Sequence, residues 1–500
     1  MCAIAGILSI NGKQAMGKDL ICMLKTMKHR GPDGSRICLD GDLVTGDIET
    51  TDHQYANIGL GHNLLSIVGT EVSQPLVKHG LVLVANAEIY NYVELKNFYD
   101  ECYFTDSDCE VILTLVNKYY KNSLVDAVNS TIKELDGDYA FAISDGKDLV
   151  VVRDELGVKP VYYATDYDMN RLAFASERKA LWKLGIKDVK VLKPSEMLLN
   201  SKIISKSQTK PKKRPILNDR LGAESVTQYD LNYYKELLKK VLMDSVKKRV
   251  AGLDRVGIIF SGGLDSSILA KISKDLEVET FLYTVGTENS SDMKYAKQVA
   301  NSLYLPLKTK VVALEDVKHY TGLVLNAIEE YNVMKLGVGM PSYIASELAC
   351  QDGIRVMLSG QGADELFAGY QRYTQFYKEY GEKTTEDLKA DVSNLYHVNL
   401  QRDDAVTMAN SVELRVPYLD SDVVDVGLNI PMKYKLGKDP QDLRKCILRR
   451  VASDLEVPRK AVLRPKKAAQ YGSGIHRLLA KKVLKDGSYK EQLESLSKII

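Results

Sequence analysis

The sequence predicts two domains of different class: a strand-rich α+β domain, then an α/β domain built on a parallel sheet and ending in a mostly helical part. Three observations predict it. A chain of 500 residues is too long for one hydrophobic core. Short β-type runs divided by Gly and Asp turns fill its first part. From about Asp230 onward, apolar β-type runs alternate with helical runs, the pattern of parallel strands joined by crossover helices.

The elements follow in order. "MCAIAGILSI" is a first strand, and Asn11-Gly12-Lys13 after it is a hairpin signal. Further β-runs are "GLVLVANAEIYNY", "GDYAFAISDG" and "DLVVVRDE", interrupted by two helical stretches near Asp19–His29 and Glu110–Tyr120. "SKSQTKPKKRPILNDR" is basic, contains proline and lacks apolar periodicity. It fits a solvated connector, with a nucleic-acid arm as the sharper alternative. The expected division is therefore a first domain over 1–208, a linker over 209–229 and a second domain over 230–500. In that second domain, helix "NYYKELLKKVLMDSVKKRV" precedes strand "VGIIF", a Gly-Ser loop and helix "SILAKISKDL". Strand "VETFLYTVG" and helix "DMKYAKQVANSLY" come next.

Composition excludes several function classes. The chain is 45% hydrophobic and 27% charged with a formal net charge of +2, which gives no reason to expect nucleic acid or an anionic membrane as partner. Its seven cysteines are an odd number without CxxC spacing, which argues against structural zinc and a disulfide framework. A reducing compartment is the default. The opening apolar run lacks the basic region of a signal peptide, and no run reaches the roughly 18 apolar residues of a membrane span. A cytoplasmic protein is expected.

"FSGGLDSS" (Phe260–Ser267) lies at a strand-to-helix switch. Two glycines let backbone N–H groups approach an anion, and the helix N-terminus adds unsatisfied donors. Ser261, Ser266 and Ser267 offer hydroxyls, and Asp265 is an acid placed to hold Mg²⁺ against phosphate oxygens. A tight turn with a helix cap is the plainer alternative. The loop is no Walker A, because the GK[ST] ending is missing.

That motif resembles the pyrophosphate-binding signature of the ATP pyrophosphatase group. "LSGQGADELFAGY" (Leu358–Tyr370), "ANSVELRVPYLD" (Ala409–Asp420) and "LRPKKAAQYGSG" (Leu463–Gly474) resemble, in order, three further signatures of the asparagine synthetases. The N-terminal half resembles a class II, N-terminal-cysteine glutaminase. The resemblance rests there on "RGPDG" (Arg30–Gly34), "GH" (Gly61–His62), "QPL" (Gln74–Leu76) and "NAEIYNY" (Asn86–Tyr92). It continues through "SDCEVIL" (Ser107–Leu113), "LDGDYAFAI" (Leu135–Ile143) and "RDELGVKPVYY" (Arg153–Tyr163). The family implied is that of the glutamine-hydrolysing asparagine synthetases. Its fold would be an N-terminal nucleophile-type αββα sandwich, then a parallel-sheet ATP-pyrophosphatase domain with a helical C-terminal part.

Cys2 has two readings, a buried strand thiol or a nucleophile exposed by removal of Met1. The resemblance favours the second. The freed α-amine, with a pKa of about 7.7–8.0, would take the thiol proton. The Asn86 side chain and the Ala87 N–H would meet the oxyanion, and Asp108 and Glu88 would bind the substrate. In the second domain the resemblance implies ATP contacts at Ser261, Gly262, Gly263, Asp265, Ser266, Ser267, Val285, Ser359 and Gly360. It further implies magnesium at Asp265 and Asp364, and charge stabilisation by Lys466. A solvated basic tail is the alternative for Lys466. Glu413 and Arg415 read as a surface ion pair or as lining of the acid pocket.

Three positions depart from the family pattern. Leu64 stands in "GHNLL" where GHxRL would place an arginine for the substrate carboxylate, and Arg30 is the expected substitute cation. Ala87 replaces a glycine. Gln361 replaces an acid near the attacking ammonia, and it can hydrogen-bond there but cannot accept a proton. The expectation is an ATP- and Mg²⁺-dependent ligase that converts aspartate to asparagine with ammonia from glutamine or from solution. A ligase for another carboxylic acid, or a non-catalytic relative, is the alternative. Partners would be small molecules, with no nucleic acid and no membrane; the resemblance leaves a homodimer open.

Overall fold

The computed structural model describes residues 2–44, 55–67, 74–194, 196–205, 230–437, 443–466, 469–485 and 487. Two compact units divide the chain, Met1–Arg214 and Pro215–Ile500. The expected linker, 209–229, lies outside the described residues.

The first unit contains a seven-stranded and a six-stranded sheet. Period-two patterning assigns each strand's faces. In strand Ala3–Ser9, Ile4 and Leu8 join the core between the sheets, while Ala3, Ala5 and Ile7 face the core under helix Gly17–Thr26. In strand Leu81–Ile89 of the other sheet, Val82 and Val84 point inward. Leu81, Leu83 and Ala85 pack on helices Glu110–Tyr119 and Leu124–Ile132. Helix, sheet, sheet and helix layers follow from this alternation, so the unit is an αββα sandwich.

Two sequence expectations are corrected here. The turn at Asn11-Gly12 does form, with Gly12 at φ +89°, but it closes no hairpin. Strand Ala3–Ser9 already has both edges filled, by Arg171–Ala175 and Ile58–Leu64, so Gln14–Ala15 pairs instead with Tyr55–Ala56. Helices beyond the two expected are also present, at Tyr92–Tyr99, Leu124–Ile132 and Arg178–Trp182. They are five to nine residues long, too short to show clear periodicity in sequence.

The second unit holds a parallel five-stranded sheet in the order Leu307–Val311, Glu279–Gly286, Arg255–Ile259, Val356–Leu358, Glu413–Arg415. The chain runs from the middle strand, Arg255–Ile259, to one side, then returns to Val356–Leu358 on the other. Strand order therefore reverses between these two strands. The crevice beyond their carboxyl ends is where open α/β sheets bind ligands.

Candidate active sites

In the first unit, Cys2 immediately precedes the central strand Ala3–Ser9 and is half-buried. Its backbone nitrogen donates to Asn86 Oδ1 at 3.0 Å, across to a strand of the other sheet. Asn86 is fully buried, and its Nδ2 has no hydrogen-bond partner. An unpaired buried amide donor is costly in a folded protein. With the oxygen committed to the Cys2 nitrogen, the NH₂ is the end left to donate to an anionic oxygen beside Cys2. The Gln74 side chain fixes the strand just before it, accepting from Ala85 N at 2.6 Å and donating to Ala85 O at 3.1 Å. Ala87 follows on the same strand and is not among the residues with positive φ, so its Cβ imposes no backbone strain.

Asp108 is tied to the end of that strand, accepting from Ile89 N at 2.7 Å. Burial pushes the Cys109 thiol well up, and nearby Asp108, Cys2 and Glu88 add to the effect, which makes these groups neighbours. The sequence-derived set Cys2, Asn86, Ala87, Glu88 and Asp108 is thus assembled at one place.

Leu64 ends strand Ile58–Leu64 and is half-buried. Arg30 does not stand in for the missing arginine. It is fully buried, with Nη1 on Glu177 Oε1 at 3.1 Å and Nε on the Cys2 carbonyl at 3.4 Å. Burial alone would raise the Glu177 carboxyl, but Lys179, His29 and Arg30 hold it well below the carboxylate range. Arg30 is therefore held on Glu177, and its bond to the Cys2 carbonyl ties it to the backbone there. "RDELGVKP" is likewise structural: buried Arg153 donates to the carbonyls of Gly157, Lys159 and Leu192, and Asp154 accepts from Val158 N and Lys159 N.

In the second unit, the turn Ser261–Gly263 joins strand Arg255–Ile259 to helix Leu264–Asp275. Gly262 adopts φ +67°, and a Cβ there would lie 2.5 Å from Ala296 N, so only glycine fits. Ser261 Oγ accepts from Gly263 N at 3.3 Å, and Ser267 Oγ is buried with no hydrogen-bond partner. Ser266 Oγ donates to Gly263 O at 3.4 Å. The second turn, after strand Val356–Leu358, packs directly on the first: a Cβ on Gly360 would lie 2.9 Å from Asp265 Cβ. Ser359 is buried beside it, with its N–H on the Arg415 carbonyl at 3.0 Å. Val285 lies near the carboxyl end of the neighbouring strand Glu279–Gly286, also buried.

Asp265, in the first turn of helix Leu264–Asp275, and Asp364, in the short helix Ala363–Leu366 after the second turn, converge on one cation. Lys445 Nζ lies 2.7 and 2.8 Å from the Asp265 oxygens and 2.7 Å from Asp364 Oδ1. Lys466 Nζ pairs with the other Asp364 oxygen, so it is no solvated tail. Burial alone would raise the Asp364 carboxyl, but Lys445 and Lys466 hold it well below the usual range. Its pairing therefore stabilises the fold above the ordinary carboxylate pKa and is lost only as pH falls through the depressed value. Arg464 donates to Ser261 O at 2.6 Å and stacks over Tyr295, fastening the Lys466 segment to the loop. Tyr418 OH donates to Asp265 O at 3.1 Å.

Glu413 and Arg415 are corrected from surface to interior. Both are buried on the sheet-edge strand, with Arg415 Nε on Glu413 Oε1 at 2.7 Å. Lys445 was not anticipated: it sits in "LRKCILRR", where a basic run reads as a solvated helix face. Among the described residues no helix is long and apolar enough to cross a membrane, and no three His, Cys, Asp or Glu side chains cluster as a metal site.

Comparison with known proteins follows the same division. The family described as glutamine amidotransferase domain matches residues 1–214, and that described as asparagine synthase matches residues 237–387 and 377–496. A putative asparagine synthetase (glutamine-hydrolyzing) 1 of Methanocaldococcus jannaschii is 42% identical, over 99% of this chain and 97% of that protein. Asparagine synthetase B (glutamine-hydrolyzing) of Escherichia coli is 30% identical, over 89% of this chain and 79% of its own. The solved glutamine phosphoribosylpyrophosphate amidotransferase of B. subtilis aligns at TM-score 0.37 and 20% identity, over 58% of this chain and 67% of its own.

Proposed function

Because the chain belongs to the glutamine-hydrolysing asparagine synthetase family of ligases, we propose that it amidates the aspartate side-chain carboxylate to give asparagine. ATP activates the acid as its adenylate, pyrophosphate leaves, and ammonia displaces AMP. The observation that carries this reading is the convergence of Asp265 and Asp364 on one cation at the strand-order reversal, beside a glycine turn and a helix N-terminus.

The residues present fit magnesium. Two carboxylates already share one cation within 2.8 Å, and magnesium is commonly held by one or two carboxylates plus substrate phosphates. Asp265 and Asp364 would hold it, and bound there it neutralises charge on phosphate oxygens. The Ser261–Gly263 backbone and the first turn of helix Leu264–Asp275 bind pyrophosphate oxygens. Ser267 supplies a hydroxyl donor, and Lys466 balances charge on the acyl phosphate.

In the first unit the Cys2 thiolate attacks the glutamine amide carbon after its proton passes to the α-amine freed by Met1 removal. The oxyanion accepts from the Asn86 NH₂, the α-ammonium gives its proton to the leaving nitrogen as the carbon–nitrogen bond breaks, and ammonia leaves; water then hydrolyses the thioester. Asp108 and Glu88 hold the substrate amine by charge-assisted hydrogen bonds.

The test is pyrophosphate release from ATP with Mg²⁺ across a panel of carboxylic acids. Aspartate should give the largest release; a different acid doing so would reassign the substrate, and no release with any acid would sink the reading.

Leu64 sets the efficiency of glutamine use. One charge-assisted hydrogen bond is worth roughly 1.5–3 kcal/mol, so its loss weakens glutamine binding about ten- to a hundredfold. Ammonia should therefore support synthesis better than glutamine. Leu64→Arg should lower the KM for glutamine by a similar factor, with the KM for ammonia as control. A micromolar KM for glutamine in the unaltered enzyme would contradict this.

A further inference from the structure

Gln361 lies in the turn between Gly360, which packs on Asp265, and Asp364. Its half-buried side chain reaches the helical segment 396–408. There Nε2 donates to Asp403 Oδ2 at 2.5 Å, and Oε1 accepts from Asn399 Nδ2 at 3.4 Å. Asp403 is only 3% exposed, and its other oxygen accepts from Arg402 Nε at 2.7 Å. Asn399 belongs to a π-helical turn, Tyr396–Leu400, a local widening that is frequent at functional sites. Arg402 and Asp404 are charged groups facing Asp403; from helix Val333–Gln351, Gly339 packs against the Arg402 stem. Burial pushes the Asp403 carboxyl up, and the bonds from Arg402 and Gln361 work against that rise.

An ionised carboxylate only accepts hydrogen bonds, so an amide held by it must offer its NH₂ and turn its carbonyl elsewhere. We propose that Asp403 is a positioning residue of the amide-forming step: by holding the Gln361 NH₂, it fixes the Gln361 carbonyl oxygen, whose one contact with Asn399 is long at 3.4 Å, with a lone pair left to accept an N–H of the attacking ammonia. This rests on the adenylate reading of the site. In that step the nitrogen lone pair forms the carbon–nitrogen bond, and the carbon–oxygen bond to AMP breaks with its electron pair on the phosphate oxygen. The surplus proton on nitrogen passes to that phosphate. Gln361 orients the nucleophile and gains no proton.

The test uses the full chain, with ammonia-dependent asparagine formation and aspartate-dependent ATP–pyrophosphate exchange measured side by side. Asp403→Asn can present an NH₂ and let the Gln361 amide flip, so the ratio of synthesis to exchange should fall about tenfold. Gln361→Glu places two carboxylates in contact, and a shared proton should add an ionisation to the pH profile of synthesis, corrected for free ammonia. Combining Gln361→Glu with Asp403→Asn restores an acid–amide pair in the opposite order. The added ionisation should vanish, and synthesis should recover above the Asp403→Asn level. A synthesis-to-exchange ratio within about twofold of the parent in Asp403→Asn would overturn the proposal, as would a double variant no better than it. Should Asp403→Asn fail to fold, the double variant's pH profile decides alone. Loss of exchange in the parent itself would instead overturn the adenylate reading, and the proposal with it.

Discussion

Cys2→Ala is expected to lower glutamine-dependent amide formation by at least about 10⁴-fold, while synthesis from ammonia continues. The size of the effect follows from what remains. Asn86, Asp108 and Glu88 still bind glutamine, but no other thiol can form the thioester from their midst: Cys109 is buried, its thiol pushed well up by burial and by the surrounding acids. In the proposed route the nucleophile and its base belong to one residue, so that route requires a mature chain that begins at Cys2. Intact-mass measurement checks this directly. Full retention of Met1 would leave an amide nitrogen in place of the amine, and glutamine hydrolysis by this route could not proceed.

Asp265→Asn or Asp364→Asn should depress ATP–pyrophosphate exchange by about 3–5 kcal/mol of transition-state stabilisation, roughly two to four orders of magnitude in rate. Two losses add. The acid that would hold magnesium is gone, and Lys445, which is 1% exposed and bridges both carboxylates, loses half its compensation. Lys466 loses its partner only in the Asp364 variant. Exchange should therefore suffer more there, and the melting temperature should fall further as well. Glutamine hydrolysis, carried by residues of the other unit, should persist in both variants. Unchanged exchange in both would remove this site from the adenylation chemistry.

The inner strands Arg255–Ile259, Glu279–Gly286 and Val356–Leu358 were legible from sequence because they are largely apolar runs next to helical periods, and the chemistry-bearing turns follow two of them. The edge strands Leu307–Val311 and Glu413–Arg415 were not, because LKTKV and ELR are short and rich in charge. "FSGGLDSS" and "LSGQGADELFAGY" are thus readable as such turns from the sequence alone. Strand pairing in the first unit was less legible. Asn11-Gly12 is a local hairpin signal, but the edges of Ala3–Ser9 are filled by strands some fifty and more than one hundred and sixty residues away, and such partners leave no local trace. Charge partners were hidden for the same reason. Arg30 looked available in "RGPDG" because Glu177 is distant in sequence. Lys445 looked like one basic residue among several because Asp265 lies 180 positions away. The acid beside Gln361 is Asp403, 42 positions on.

In the adenylate route the aspartate carboxylate attacks ATP at the phosphate that leaves as AMP. The most direct test of that route is the fate of heavy-oxygen-labelled aspartate carboxylate during synthesis with ATP, Mg²⁺ and ammonia, read by mass spectrometry of the nucleotide product. One labelled oxygen should appear in AMP for each asparagine formed, alongside unlabelled pyrophosphate. Formation of ADP with label in inorganic phosphate would contradict the account, as would AMP that carries none.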